Sequence, residues 1–134
     1  MSKPIQPSPF LRRVSLADAL VSAAVGAVMA LGASALQGLL GLPGALLMLA
    51  GLALFPYAAY LLWLTRHVAV PRAALWMPIV LNIMWAIDCL LVLFGGGVSP
   101  TLLGKAFIMV QVVTVLLFAE LEFIGLSRRS EVTV

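Results

Sequence analysis

Four long apolar runs separated by short breaks dominate the chain. A helix needs about 20 predominantly apolar residues to cross roughly 30 Å of hydrocarbon. Residues 14–38, 43–64, 72–94 and 100–126 each meet that length. Two of the connections, Leu39-Leu40-Gly41-Leu42 and Gly95-Gly96-Gly97-Val98-Ser99, are uncharged and glycine-bearing. The third, Thr65 to Pro71, is polar. Links this short make neighbouring helices antiparallel. The pattern therefore predicts an all-α fold, a transmembrane four-helix bundle running up-down-up-down as one domain over residues 14–127. Residues 1–13 and 128–134 are expected to be tails, the first of them flexible because it opens polar and proline-rich.

Proline and serine mark helix starts. Pro43, Pro71 and Pro100 fall at or beside a first helical position, where a missing N–H costs nothing. Ser99 is the expected N-cap of the fourth span. Pro56 and Pro78 lie inside spans. Each removes a backbone hydrogen bond and is expected to bend its helix, as a packing kink or as an opened carbonyl at a binding site.

Composition fits the same picture. The 134 residues are 63% hydrophobic and 10% charged. That is far more apolar material than a single soluble core of this length absorbs. A soluble enzyme, a disordered chain and a nucleic-acid binder are all disfavoured. The single cysteine, Cys89, excludes an internal disulfide framework and a cysteine-based metal cluster.

The net charge of +3 is a by-product of topology rather than a pointer to anionic partners. Lys3, Arg12 and Arg13 precede the first span, Arg66 and Arg72 flank the second loop, and Arg128 and Arg129 follow the last span. By the positive-inside rule that side is cytoplasmic, with both termini inside the cell. Tyr57, Tyr60, Trp63 and Trp76 fall toward the same side and read as interface aromatics. A cleavable signal peptide is the competing reading of the N-terminus, since Ala33-Ser34-Ala35 fits a small-x-small site. The apolar stretch is too long for that and contains Asp18.

Span one carries small residues at a spacing of four, Ser22, Gly26, Ala30, Ser34 and Gly38. In lipid, close backbone approach through small residues supplies the contact energy. This ridge is expected to make the closest helix contact, within the bundle or across a dimer, the former preferred.

Polar residues within the spans are costly and so carry the candidate chemistry. Asp88 in span three and Lys105 in span four fall at similar depth on adjacent antiparallel helices, which predicts an ion pair. It would fix helix register or gate a proton or ion site. Asn82 and Gln111 lie near mid-membrane on the same helices. Asn82, Trp85 and Cys89 share one face, as do Gln111, Thr114, Phe118 and Glu122, giving two polar seams that either glue the helices or line a narrow cavity. Asp18, Glu120 and Glu122 are placed near the cytoplasmic boundary. Pairing with Arg12, Arg13, Arg128 or Arg129 is the plain reading. Clustering of Asp18 with Glu122 into a cation or proton vestibule is the sharper one. Glu120 points about 160° from Glu122 and is not part of that site. His67 is alone in a loop, and no metal or cofactor motif is present.

Leu81-Asn82-Ile83-Met84-Trp85 in span three and Ala119 to Leu126 before the basic tail resemble segments of small four-span bacterial inner-membrane proteins that carry no assigned activity. The resemblance implies a multi-pass inner-membrane location and no chemistry. Small multidrug-resistance transporters also have four spans, but they place a glutamate well within span one. Here the acid is Asp18, expected near the end of that span, and no residue role is carried over. The expected function is a non-catalytic structural or accessory membrane component. The alternative is a small ion- or proton-coupled transporter using the Asp88/Lys105 pair with Asn82, Gln111 and Trp85. The expected partners are the lipid bilayer, together with a larger membrane complex or further copies of the chain, and no nucleic acid.

Overall fold

The computed structural model describes residues 6–127. Lys3, Arg128, Arg129 and the two outermost tail segments lie outside the described residues. The described chain is helical, in the order α1 (Pro9–Leu31), α2 (Ala33–Leu40), α3 (Gly44–Thr65), α4 (Arg72–Phe94) and α5 (Leu102–Ser127). The four long helices have the length and hydropathy of membrane spans. Their apolar residues point outward as well as inward: Leu31, Leu49, Leu91, Phe94 and Val113 are all exposed. That surface suits hydrocarbon rather than water.

Helix ends correct the sequence reading at several places. α1 begins at Pro9, so residues 9–13 are helical and not tail. Ser8 caps it, accepting a bond from Leu11 N at 3.1 Å. The first apolar run is not one helix, because the chain breaks at Gly32 and restarts as the short α2. α2 ends on Gly41 in the left-handed region at φ 69°, where a side chain would be strained. At the start of α5 the cap is Thr101 rather than Ser99. Its hydroxyl accepts from Gly104 N at 3.0 Å and donates to Leu39 O at 2.7 Å, which ties the α4–α5 turn to the end of α2.

Pro56 and Pro78 are both accommodated inside unbroken helices. Proline at position 78 leaves the carbonyl of Ala74 without its donor four residues on. The hydroxyl of Tyr60 supplies one instead, at 2.6 Å. The opened carbonyl is thus used for packing α3 on α4 near their shared turn, and Tyr60 is anchored rather than free at the interface.

α1 lies along α3, and α4 lies along α5. The first contact depends on two glycines. A Cβ on Gly26 would sit 2.8 Å from the carbonyl oxygen of Gly51, and one on Gly51 would sit 2.7 Å from the amide of Ala30. The small-residue ridge therefore works within the chain, as expected, but only as far as Ala30. Beyond the Gly32 break, Ser34 and Gly38 are exposed. The two helix pairs join through α1 and α5, where Gly125 packs against Phe10 and Leu11. The described ends of the chain thus lie at one end of the bundle. The α3–α4 turn lies there too, because the Arg12 guanidinium donates to the carbonyls of Thr65 and His67, both at 2.6 Å. α3 and α4, although consecutive, touch little.

Candidate functional site

Four long helices each send one or two polar side chains to a common point. Asp18 and Ser22 come from α1, Tyr57 from α3, Asn82 from α4 and Glu122 from α5. Asp18, Asn82 and Glu122 are only 2%, 3% and 1% exposed. The Asn82 amide nitrogen spends its two hydrogens on two carboxylates, Asp18 Oδ2 at 3.1 Å and Glu122 Oε1 at 3.0 Å. The Tyr57 hydroxyl donates to the same Asp18 Oδ2 at 2.7 Å, and the Ser22 hydroxyl donates to Asp18 Oδ1 at 3.2 Å. Ser22 lies one helical turn beyond Asp18, which is why the two face each other.

The cluster is unequal. Asp18 accepts from three donors and Glu122 from one, and Glu122 Oε2 is a buried oxygen with no hydrogen-bond partner. Among the described residues no cation is bonded to either carboxylate. Arg12, one of the expected partners of Asp18, instead donates to the Thr65 carbonyl at the end of α3 and to the His67 and Val68 carbonyls of the following turn. Cations suit that position, where the helix dipole is negative and the last carbonyls lack amides. Arg13 is exposed.

The early start of α1 lengthens the helix ahead of Asp18. Nine residues separate it from Pro9, about 13 Å along the helix axis. Asn82 is ten residues into α4, about 15 Å. Asp18 and Glu122 do come together, bridged by Asn82. Glu120 is exposed and apart from it, as its angular offset requires.

The expected Asp88–Lys105 ion pair is absent. Both residues are exposed, and no ion pair joins them. Asp88 faces the open space between α3 and α4, which Lys105 does not line. The seam between α4 and α5 does form. Trp85 Nε1 donates to Gln111 Oε1 at 2.8 Å, and Asn82 reaches Glu122. Trp85, near the middle of α4, thus has its indole N–H satisfied, which is what burial of that group demands.

Two residues of the cluster carried no site signal in the sequence. Tyr57 read as an interface aromatic and Ser22 as a packing residue. The Asp18–Ser22 spacing of four is a local cue for a side-chain bond. Nothing local marks Tyr57, since its partnership depends on how α1 lies along α3.

Between α3 and α4 the bundle is open. Two cavities of about 530 Å³ each lie there. The one nearer the basic end reaches Ser22, Tyr57 and Asn82 of the cluster. The other is bounded by Leu47, Phe107 and Gln111, and both are lined by Trp85 and Asp88. Neither is lined by a lysine, arginine or histidine. Among the described residues no group of three or more His, Cys, Asp or Glu is arranged to hold a metal ion. Comparison of the chain with protein-family models, with curated proteins and with solved structures finds no match.

Proposed function

We propose that the chain is a non-catalytic multi-pass protein of a bacterial inner membrane, with both termini cytoplasmic, and that it binds and releases a proton at the Asp18–Glu122 pair as a small proton-coupled transporter. The observation that carries this reading is the buried, unpartnered Glu122 Oε2 beside a second carboxylate. Charge inside hydrocarbon costs at least about 2.5 kcal/mol near the centre unless it is balanced. No described cation is bonded to this pair, and both carboxylates are buried. Three donors converge on Asp18 and one on Glu122. A proton carried by the pair therefore belongs on Glu122, and the negative charge on Asp18.

The side chains divide the work. Ser22, Tyr57 and Asn82 hold the Asp18 carboxylate with neutral donors, which stabilise a charge without fixing it as a bonded cation would. Asn82 orients both carboxylates with one amide. The cavity that reaches Ser22, Tyr57 and Asn82 supplies a route between the cluster and the exterior of the bundle.

The test is proton flux into liposomes holding the purified chain, under an imposed pH gradient, with infrared spectra of the carboxyl groups. The expected result is flux that falls at least tenfold in Glu122→Gln and in Asp18→Asn, together with a protonated-carboxyl band that Glu122→Gln removes. Absence of that band at every pH, with no flux in the parent chain, would overturn the reading.

A structural role is the second reading. It is favoured by one observation: the same five side chains join α1, α3, α4 and α5 at one point. Under it, Glu122→Gln changes stability and leaves no pH-dependent property to lose.

A further inference from the structure

We infer that the open side of the bundle, between α3 and α4, is a binding cleft for an amphiphilic organic monocation, an alkyl- or arylammonium, with its charge at Asp88 and its apolar body along the two cavities. The inference rests on Asp88 and the cleft. It stands apart from the proton reading, which rests on Asp18 and Glu122.

Asp88 lies six residues before the end of α4 at Phe94, about 9 Å inside along the helix axis. A carboxylate at that depth needs a partner or a water path. Lys105 is not that partner, and no described hydrogen bond reaches Asp88. The residue instead lines both cavities, neither of which is lined by a basic side chain. The complementary occupant is therefore a cation from outside the chain.

The shape argument sets the rest of the ligand. Each cavity is about 530 Å³, within the usual range for small-molecule sites of roughly 300–1,000 Å³. Apart from Asp88 the walls are largely apolar, including Leu54, Met77, Leu81 and Met84 on one side of Trp85 and Leu47 and Phe107 on the other. A small inorganic ion leaves those walls unfilled. A lipid tail fills them but leaves the Asp88 carboxylate against hydrocarbon. An organic cation with an apolar body satisfies both. Trp85, common to the two cavities, lies one helical turn from Asp88 and adds an aromatic ring to the lining, the kind of side chain on which quaternary ammonium groups are recognised. Methionines such as Met77 and Met84 adapt to varied apolar shapes, so the cleft is suited to a class of cations rather than one compound.

The experiment uses the full chain in nanodiscs of zwitterionic lipid. Hexyltrimethylammonium and its uncharged tert-butyl isostere are titrated by calorimetry and by Trp fluorescence. The expected result is saturable binding of the cation at least tenfold tighter than binding of the isostere. Asp88→Asn is expected to abolish that preference, while Glu122→Gln leaves it intact. Asp88→Asn removes an unpaired charge and so does not threaten folding. Leu81→Trp provides a second check, filling the cleft and abolishing binding with Asp88 still present. Equal binding of cation and isostere would mark the cleft as a lipid seat and overturn the inference. So would an unchanged preference in Asp88→Asn, or a dimer that buries the cleft and excludes both probes.

Discussion

Replacing Asn82 by leucine isolates the energetic core of the site. The side chains are similar in size, so the change removes polarity and little volume. Two hydrogen bonds are lost, to Asp18 at 3.1 Å and to Glu122 at 3.0 Å. Interhelical hydrogen bonds in membrane proteins average about 0.6 kcal/mol and reach about 1.7, so the two together contribute about 1–3 kcal/mol. The larger effect is asymmetric. Asp18 keeps donors from Tyr57 and Ser22, but Glu122 has no other, and both its oxygens become orphans. A buried polar group stripped of its partner costs a further 1–3 kcal/mol or so. The expected destabilisation is thus about 2–6 kcal/mol, read as a shift in the SDS-induced unfolding of the chain in mixed micelles. The same substitution in a Glu122→Leu background removes the orphan, so there Asn82→Leu is expected to cost under about 1 kcal/mol. The coupling of about 1–5 kcal/mol between positions 40 residues apart in sequence is the signature of the network. An equal loss in both backgrounds, or a loss under about 0.5 kcal/mol in the parent, would refute the reasoning.

Five further outcomes are expected from the geometry. Gly51→Ala pushes a methyl group against the α1 backbone and is expected to cost about 1–3 kcal/mol in the same unfolding assay. Gly38→Ala, which meets nothing within 4 Å, should be neutral or stabilising. Tyr60→Phe is expected to cost about 1 kcal/mol, and nothing when Pro78→Ala has restored the amide that Ala74 lacks; equal costs in both backgrounds would contradict that assignment. Arg12→Ala should raise hydrogen exchange around Thr65 to Val68, and Arg12→Lys should rescue it only in part, since one ammonium cannot reproduce a planar fork bonded to separate carbonyls. Asp88→Asn and Lys105→Met should show additive stabilities, a double-mutant cycle in which any coupling above about 0.5 kcal/mol restores the ion pair.

What sequence could and could not reveal follows the range of the physics involved. The spans at 72–94 and 43–64 were legible because hydrocarbon thickness sets one length for every membrane helix. The break at Gly32 was not, since an apolar run looks the same whether one helix or two cross it. The start of α1 at Pro9 escaped for the reverse reason. Arg12 and Arg13 read as flank, yet Arg12 lies within α1 and turns its guanidinium to the end of α3. Asn82 and Glu122 were recognisable as costly residues, but their meeting with Asp18 and Tyr57 depends on helix azimuths that no local pattern encodes. Asp88 and Lys105 show the same limit from the other side. Depth can be counted along a sequence, and azimuth around a bundle cannot.

The open cleft and the closed cluster have a common origin in the glycines. Gly26 and Gly51 let α1 approach α3 more closely than side chains elsewhere would permit. Gly125 lets α1 meet α5 at the basic end in a similar way. α1 is thereby held between α3 and α5, and α4 is held by α5 on its far side. Four helices arranged so have three close seams, and the fourth, between α3 and α4, is secured mainly near its turn by the bond from Tyr60 to Ala74. Asp18 sits on the central helix, where donors from α3 and α4 and the carboxylate of α5 all converge behind the open seam. A larger residue at Gly51 would thrust α3 away from α1 and move Tyr57 off Asp18, while leaving the Asn82–Glu122 bond between α4 and α5 in place. The half of the cluster that binds Asp18 is therefore tied to the width of the cleft, and closure of α3 onto α4 around an occupant would be felt at that carboxylate through Tyr57.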